Sequence, residues 1–175
     1  MAAIDPNVYQ YLTYGMYVVS SFRQGKLNGQ IADVVFQVAA EPPLIAVSLN
    51  CQNLTHELIA QTRRFSVSIL AQDAPLKYIG IFGFKCGRSV EKYSGVGHKV
   101  LDSGTPVILD HSLGWLDLEV AQTVELGTHT LFIGRVTASD VLRTGEPMTY
   151  AYYHAIKGGM TAKNAPTYLK PEPEK

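Results

Sequence analysis

Apolar and polar residues alternate along much of this chain, which is the pattern of half-buried β-strands. The alternation is clearest at residues 65–70 and 116–126. Runs of aromatic and β-branched residues predict further strands at residues 14–22, 30–40, 44–50, 107–109 and 130–138. The pattern therefore predicts a mainly β protein.

Turn residues and helix signals divide these strands. Residues 24–29 supply the turn glycines of a hairpin, and the prolines of residues 41–43 interrupt pairing because proline has no backbone N–H. Asn53 or Thr55 is expected to begin a helix that runs toward Arg63. Pro75 starts a short helix or irregular segment. Helices inserted between antiparallel strands favour a closed or split barrel over a βαβ sheet.

Three segments show neither the alternation of a strand nor the periodicity of a helix. Residues 85–106 are polar and interrupted by glycine, so a long surface excursion is predicted. Residues 150–154 are aromatic, and residues 157–168 indicate an ordered irregular arm. We expect one domain over residues 1–168 and a flexible tail over residues 169–175, which are polar and proline-rich.

Composition mainly excludes classes of function. The formal net charge is zero, so no bulk attraction to nucleic acid or to an anionic membrane is expected. The chain begins without a signal peptide and contains no membrane-spanning run, which predicts a cytoplasmic protein. Cys51 and Cys86 lie far apart and are expected to stay reduced. The five histidines are dispersed, so no metal site is predicted.

Residues 28–56 carry the most chemical information. Ser48 and Asn50 occupy the small, polar face of a strand that leads through a short loop into the predicted helix at Asn53. Unpaired N–H groups at a helix start stabilise an anion. The alternative interpretation is that Asn53 and Thr55 only cap the helix. Taken by themselves, these two residues favour the capping interpretation over an anion site. Gly29, Ala32 and Asp33 nevertheless leave room for a flat ligand edge.

Other polar residues are weaker candidates. His129 stands between two threonines at a strand start, where a lone histidine is more often an ordinary hydrogen-bonding group. The basic residues Lys85, Arg88 and Lys92 belong to the predicted loop and could reach a phosphate. Nucleophilic serine catalysis is disfavoured because no G-x-S-x-G elbow is present.

Several motifs in order resemble the flavin reductase-like family with the FMN-binding split barrel. They include Asn53-Leu-Thr-His56, Gly127-Thr-His-Thr130 and segments at residues 25–33, 35–38, 43–50, 65–70, 79–85, 127–134 and 150–154. The resemblance covers residues 14–168 and is nearest to archaeal ferric reductases, flavoredoxins and the flavin domain of high-molecular-weight rubredoxins. It implies a split β-barrel of Greek-key type, non-covalent FMN, NADH or NADPH as hydride donor, and a homodimer.

The resemblance also assigns residues. The ring of FMN would lie along Gln30, Ile31, Ala32, Asp33, Ser48, Leu49 and Asn50. The ribityl phosphate would meet Asn53, Thr55 and His56, helped by Phe82, Gly83, Phe84 and Lys85. His129 would lie near the flavin face where nicotinamide or an acceptor docks. Asp33 stands where these relatives commonly have asparagine, which places a negative charge near the ring and predicts a lowered reduction potential.

Three functions follow from the residues and the resemblance together. The first is an oxidoreductase that passes electrons from NAD(P)H through FMN to free flavin, ferric iron or a rubredoxin-type protein. The second is an FMN-holding electron carrier without NAD(P)H activity of its own. The third is a flavin- or haem-binding protein used for storage or structure, which the Ser48, Asn50 and Asn53 cluster disfavours. No C-x-x-C pair follows Tyr168, so any rubredoxin is expected to be a separate partner.

Overall fold

A computed structural model describes residues 4–168, and its main feature is one antiparallel sheet. The strands are β1 (Tyr17–Arg23), β2 (Lys26–Ala32), β3 (Val35–Ala39), β4 (Leu44–Asn50), β5 (Arg64–Leu70), β6 (His98–Val100), β7 (Pro106–Ile108), β8 (Ser112–Leu126) and β9 (His129–Val141). The helices are a 3₁₀ turn at Pro6–Tyr11, then α1 (Leu54–Thr62), α2 (Leu76–Gly83) and α3 (Tyr150–Ala155).

The sheet closes on itself into a barrel. Its seven strands are ordered β2-β1-β5-β8-β9-β4-β3, which places β2 and β3 at opposite edges. Only Asp33 and Val34 join these two strands in sequence, so the edges must approach one another. The N–H of Ser48 on β4 donates to the carbonyl of Val34 at 3.1 Å, which continues the pairing of β3 with β4 into this connection. The predicted mainly β split barrel is thus confirmed, and β6 and β7 form a separate hairpin.

Apolar side chains cover both faces of the sheet at β1. Val18 and Val19 are both fully buried although they point in opposite directions. Val19 joins the barrel interior with Val47, Leu49, Phe65, Leu118, Phe132 and Ile59 from α1. Val18 joins an outer cluster with Met16, Leu70, Tyr78, Ile79, Phe82, Met148 and Tyr153. Helices α2 and α3 therefore pack on the outside of the barrel.

Two predicted elements differ from the structure. The hairpin turn consists of Gln24 and Gly25 alone, both with positive φ, as a two-residue turn of type I′ requires. Residues 26–29, predicted as turn, belong to β2. The predicted strand over residues 30–40 is broken at Asp33 and Val34, where the chain crosses between the sheet edges.

The irregular segments match their predictions more closely. The excursion over residues 85–106 contains only the short strand β6 and ends as β7 begins, and residues 157–168 are irregular. The aromatic residues 150–154 form most of α3. The predicted tail at residues 169–175 lies outside the described part of the chain.

Candidate functional site

A cavity of about 570 Å³ opens where β2 and β4 end and α1 begins. We divide its lining into three surfaces. The strand wall comprises Asn28, Gln30, Ile31, Ala32, Asp33, Ser48 and Asn50; the loop wall comprises residues 82–88 and Lys92; the arm comprises residues 160–166. Asn53, Leu54 and Thr55 line the cavity at the start of α1. The volume is typical of small-molecule and cofactor sites.

Two amide oxygens on the strand wall are buried without a hydrogen-bond partner. Asn28 is 3% exposed, and its Nδ2 donates to Oγ1 of Thr55 at 2.7 Å. Within residues 4–168, Oδ1 of Asn28 and Oε1 of Gln30 have no donor. A buried acceptor without a partner costs about 1–3 kcal/mol. The strand wall is therefore suited to a ligand that carries several donor groups.

The first turn of α1 is open to an anion. Asn53 occupies the N-cap position, but its side chain makes no capping hydrogen bond. Its Oδ1 instead accepts from Nδ2 of Asn164 on the arm at 3.3 Å. Because the cap does not use the N–H groups of the first turn, these remain for a negatively charged ligand group.

Lys92 supplies a buried cation to the loop wall. Its side chain is 5% exposed, and Nζ donates to the carbonyls of Gly29 at 2.8 Å and Phe82 at 3.3 Å. An ammonium has three donors, so one remains. Burial lowers the pKa of Lys92 to about 8, and the nearby Cys86 opposes this shift. A bound anion would favour the charged form.

Arg88 and Cys86 lie at the rim of the loop wall. The Arg88 guanidinium donates to Oε2 of Glu57 at 3.0 Å and keeps half of its side-chain surface in solvent. Hydrogen bonds from Arg88, the largest from its backbone, lower the pKa of the Cys86 thiol. Positive charge is thus concentrated on this side of the cavity.

Asp33 joins the strand wall to the segment that follows the arm. It is 4% exposed, and its Oδ1 accepts from the N–H of Val34 at 3.0 Å. Its Oδ2 accepts from the hydroxyl of Thr167. The arm is held to the barrel at this point and at Asn53.

Three predicted site residues do not line the cavity. Leu49 points into the barrel interior and is 1% exposed, because alternation turns its side chain away from Ser48 and Asn50. Nε2 of His56 lies 2.8 Å from Oγ1 of Thr130, and its ring packs against Phe132. Burial lowers the pKa of His56, and Glu125 opposes the shift.

The third, His129, lies outside the cavity but contacts a residue of its lining. Its Nε2 is 3.3 Å from the carbonyl oxygen of Asn164, which does line the cavity. The other predicted residues are brought together there, namely Gln30, Ile31, Ala32, Asp33, Ser48, Asn50, Asn53, Thr55, Phe82, Gly83, Phe84 and Lys85.

Sequence reasoning missed Asn28, Gln52, Leu54, Cys86, Gly87 and residues 160–166. A signal for Asn28 was present, since it shares a strand face with Gln30 two residues on. The arm gave no such signal, because side-chain hydrogen bonds rather than periodicity fix its position. Within the described residues, no group of three or more histidine, cysteine, aspartate or glutamate side chains could hold a metal ion. Among residues 4–168, no helix has the length and apolarity needed to cross a membrane.

An antiparallel split barrel with an open helix start and unpaired amides beside it is suited to a cofactor that carries an anionic group and hydrogen-bond donors. The chain belongs to the flavin reductase-like domain family, whose model matches residues 9–157. The prediction of a flavin reductase-type oxidoreductase is confirmed by this membership.

Individual relatives agree with the family match. The chain is 48% identical to high molecular weight rubredoxin of Moorella thermoacetica, over 94% of this chain and 72% of that protein. It is 37% identical to ferric-chelate reductase (NAD(P)H) of Archaeoglobus fulgidus, over 95% and 99% of the two chains. The FMN-binding protein of Thermus thermophilus superimposes with a TM-score of 0.72 at 27% identity, over 81% and 78% of the two chains.

Proposed function

We propose that this protein is an FMN-dependent oxidoreductase that takes electrons from NAD(P)H and passes them to an acceptor. One observation carries the proposal: Asn28 and Gln30, whose buried amide oxygens have no hydrogen-bond partner, line a cavity that ends at the open start of α1. Flavin and ribityl groups provide N–H and O–H donors, and the FMN phosphate provides the anion. The relative named as FMN-binding supports FMN as the flavin.

The residues of the cavity would hold FMN by its two ends. The strand wall would take the ring and ribityl donors, and the first turn of α1 would take the phosphate, with Arg88 and Lys92 balancing its charge. When bound, FMN supplies the hydride acceptance and single-electron release that no side chain here can provide. The arm would exclude water from one side of the cavity.

The three predicted residues outside the cavity lining would act on the cofactor indirectly. His56 and Leu49 would support the site from behind, the first through Thr130 and the second by packing against the barrel interior. His129 would act from the rim, where its contact with Asn164 places it beside the arm, and the nicotinamide would dock on that side.

The acceptor is proposed to be ferric iron, free flavin or a rubredoxin-type protein. The name of the Archaeoglobus relative supports ferric chelates, and the name of the Moorella relative supports rubredoxin. The second candidate function is an FMN-holding electron carrier without NAD(P)H activity. It is favoured by the higher identity to the rubredoxin-named relative, 48% against 37%.

Assembly and location complete the proposal. A homodimer is supported by the edge strand β3, whose Phe36 is 49% exposed and whose Val38 is also exposed. A cytoplasmic location is supported by Cys51 and Cys86, two exposed cysteines that are not joined in a disulfide. Light scattering of the purified protein, compared with a Phe36→Glu variant, tests the dimer and this contact.

Anaerobic stopped-flow reduction of the FMN-loaded protein tests the reaction. We expect NADH or NADPH to bleach the flavin absorbance and a ferric chelate to restore it. FMN affinity, measured by fluorescence quenching, should fall in Gln30→Ala and stay unchanged in Gln37→Ala, an exposed glutamine on β3. Reduction by a partner protein but by neither nucleotide would select the carrier. No FMN binding at all would contradict both.

A further inference from the structure

A continuous chain of side-chain hydrogen bonds leads from the cavity toward the surface. It begins at Asp33 and passes through the hydroxyls of Thr167, Tyr150 and Thr161 to His154 on α3. Thr167 lies 3.1 Å from the phenol of Tyr150, and Thr161 lies 3.3 Å from Nε2 of His154. Asp33 lines the cavity, whereas His154 is partly exposed.

The hydrogen-bonding capacity of each member suits proton transfer. Nδ1 of His154 lies 2.9 Å from the carbonyl of Gly159, which can only accept, so Nδ1 carries the proton and Nε2 is an acceptor. Each hydroxyl can accept one proton and donate another. The Thr167 hydroxyl has one hydrogen and can donate it either to Asp33 or to Tyr150. It would donate to Asp33 when that carboxylate is ionised and to Tyr150 when the carboxyl group is protonated.

The proposed reaction leaves a proton to be removed. Each NAD(P)H delivers a hydride, which is two electrons and one proton. Two ferric ions take one electron each and become ferrous, so one proton is released in the cavity for every NAD(P)H oxidised. Asp33 is the carboxylate in the lining of that cavity.

We propose that Asp33, Thr167, Tyr150, Thr161 and His154 form a proton relay that carries this proton from the flavin cavity to solvent. The inference rests on the proposed function for its purpose, but the hydrogen-bonded chain stands on the structure alone. Asp33 would receive the proton, and the three hydroxyls would pass it on by exchanging donor and acceptor roles. His154 would take it at Nε2 and, being partly exposed, lose it from there to water when the contact with Thr161 opens.

The groups around the relay are compatible with this role. Burial chiefly raises the pKa of Tyr150, so its phenol keeps a proton at neutral pH and conducts without ionising. Tyr14 and Tyr153 also face the relay, and burial raises the pKa of each. Lys85, Lys92 and Lys163 line the same cavity. A smaller void of about 50 Å³, lined in part by Asp33, Tyr150 and Thr161, is large enough for a water molecule beside the chain.

The first test needs neither cofactor nor turnover. ¹⁵N NMR of the protein without added FMN should show His154 with its proton on Nδ1 at pH 8. Thr161→Val, which removes the hydroxyl but keeps the shape, should change the Nε2 chemical shift, and Thr161→Ser should not. A neutral His154 with its proton on Nε2 would break the chain and overturn the proposal.

The second test separates proton transfer from hydride transfer. Thr161→Val is expected to slow turnover with a ferric chelate about tenfold. Reduction of the flavin by NAD(P)H should be slowed less than turnover with a ferric chelate, because that half-reaction does not need the relay. Imidazole added to the buffer should restore most of the lost rate, and Thr161→Ser should retain it.

Controls keep the outcomes distinct. Tyr152→Phe changes a hydroxyl on the same helix outside the chain and should behave as wild type. Thr161 also lines the cavity, so FMN affinity is measured for every variant. A rate loss that imidazole does not rescue would show a purely structural role and overturn the proposal. Failure of the wild type to oxidise NAD(P)H would instead contradict the proposed function, while the NMR test would remain valid.

Discussion

The two sides of the cavity are built in different ways. The strand wall lies on β2 and β4, whose backbone hydrogen bonds continue through the barrel, so its side chains are fixed by strand register. The loop wall and the arm have no such framework and are placed by a few side-chain contacts, such as Lys92 with Gly29 and Asn164 with Asn53. The acceptors for a ligand are thus held rigidly, while most of the positive charge is held by individual contacts.

This difference predicts where substitutions act. A change on the strand wall should alter the fit of the ligand directly. A change on the loop wall or arm should act by displacing a charge or by loosening a contact with the strand wall. Contacts between the two sides should therefore differ in their effect on ligand binding.

Gly87→Ala should weaken FMN binding most. Gly87 packs so closely on Asn28 that an added Cβ would overlap the amide oxygen. Asn28 is buried and fixed by its hydrogen bond to Thr55, so it could move only by giving up that bond. Displacing Asn28 would move an acceptor of the strand wall, and a ligand hydrogen bond lost at a buried group costs about 2 kcal/mol, or roughly 30-fold in the dissociation constant. Fluorescence quenching by the protein measures this constant.

Gly80→Ala is the matched control. Gly80 lies on α2, and an added Cβ there would meet open space. FMN affinity should stay as in the wild type, and the free energy of unfolding should rise by about 0.5–1 kcal/mol, because alanine favours the helix. Equal losses of affinity in both variants would show that the contact between Gly87 and Asn28 has no special importance.

Lys92→Met should have the second largest effect, a loss of about tenfold in FMN affinity at pH 7. The reason is that the variant lacks one charge-assisted hydrogen bond to the phosphate, which is worth about 1.5 kcal/mol. In the wild type without ligand, Lys92 loses its proton as the pH rises through about 8. FMN affinity should therefore decline above pH 8 in the wild type, and this decline should be absent in the variant.

Stability should change in the opposite direction with pH. The folded-state pKa of Lys92 is about 8 and the ordinary value is 10.5, so between these values the unfolded chain binds more protons. From this group alone, the free energy of unfolding rises with pH in that window. Lys99→Met, an exposed lysine on β6, is the control and should leave both pH profiles unchanged.

The same contrast explains what the sequence could predict. Alternation placed Ser48 and Asn50 on one face of β4, and that face does line the cavity. The same alternation turns the side chain of Leu49, which the family resemblance places along the ring, into the barrel interior. The arm was predicted as an irregular segment, but its place in the cavity lining was not, because that position depends on contacts between residues far apart in sequence. Asp33 was predicted as a site residue, but its hydrogen bond to Thr167 was not.

Asn164→Ala should have the smallest effect and tests how firmly the arm is attached. It removes the 3.3 Å hydrogen bond to the Asn53 side chain, and that bond is exposed to solvent. An exposed hydrogen bond is worth about 0.5–1 kcal/mol, so FMN affinity should fall only about threefold. A double-mutant cycle with Asn53→Ala isolates the contact, because the two losses should not add if the side chains act through each other. Additive losses would mean that the arm is held elsewhere, at Thr167 and Asp33, and that Asn53 contributes to binding independently of Asn164.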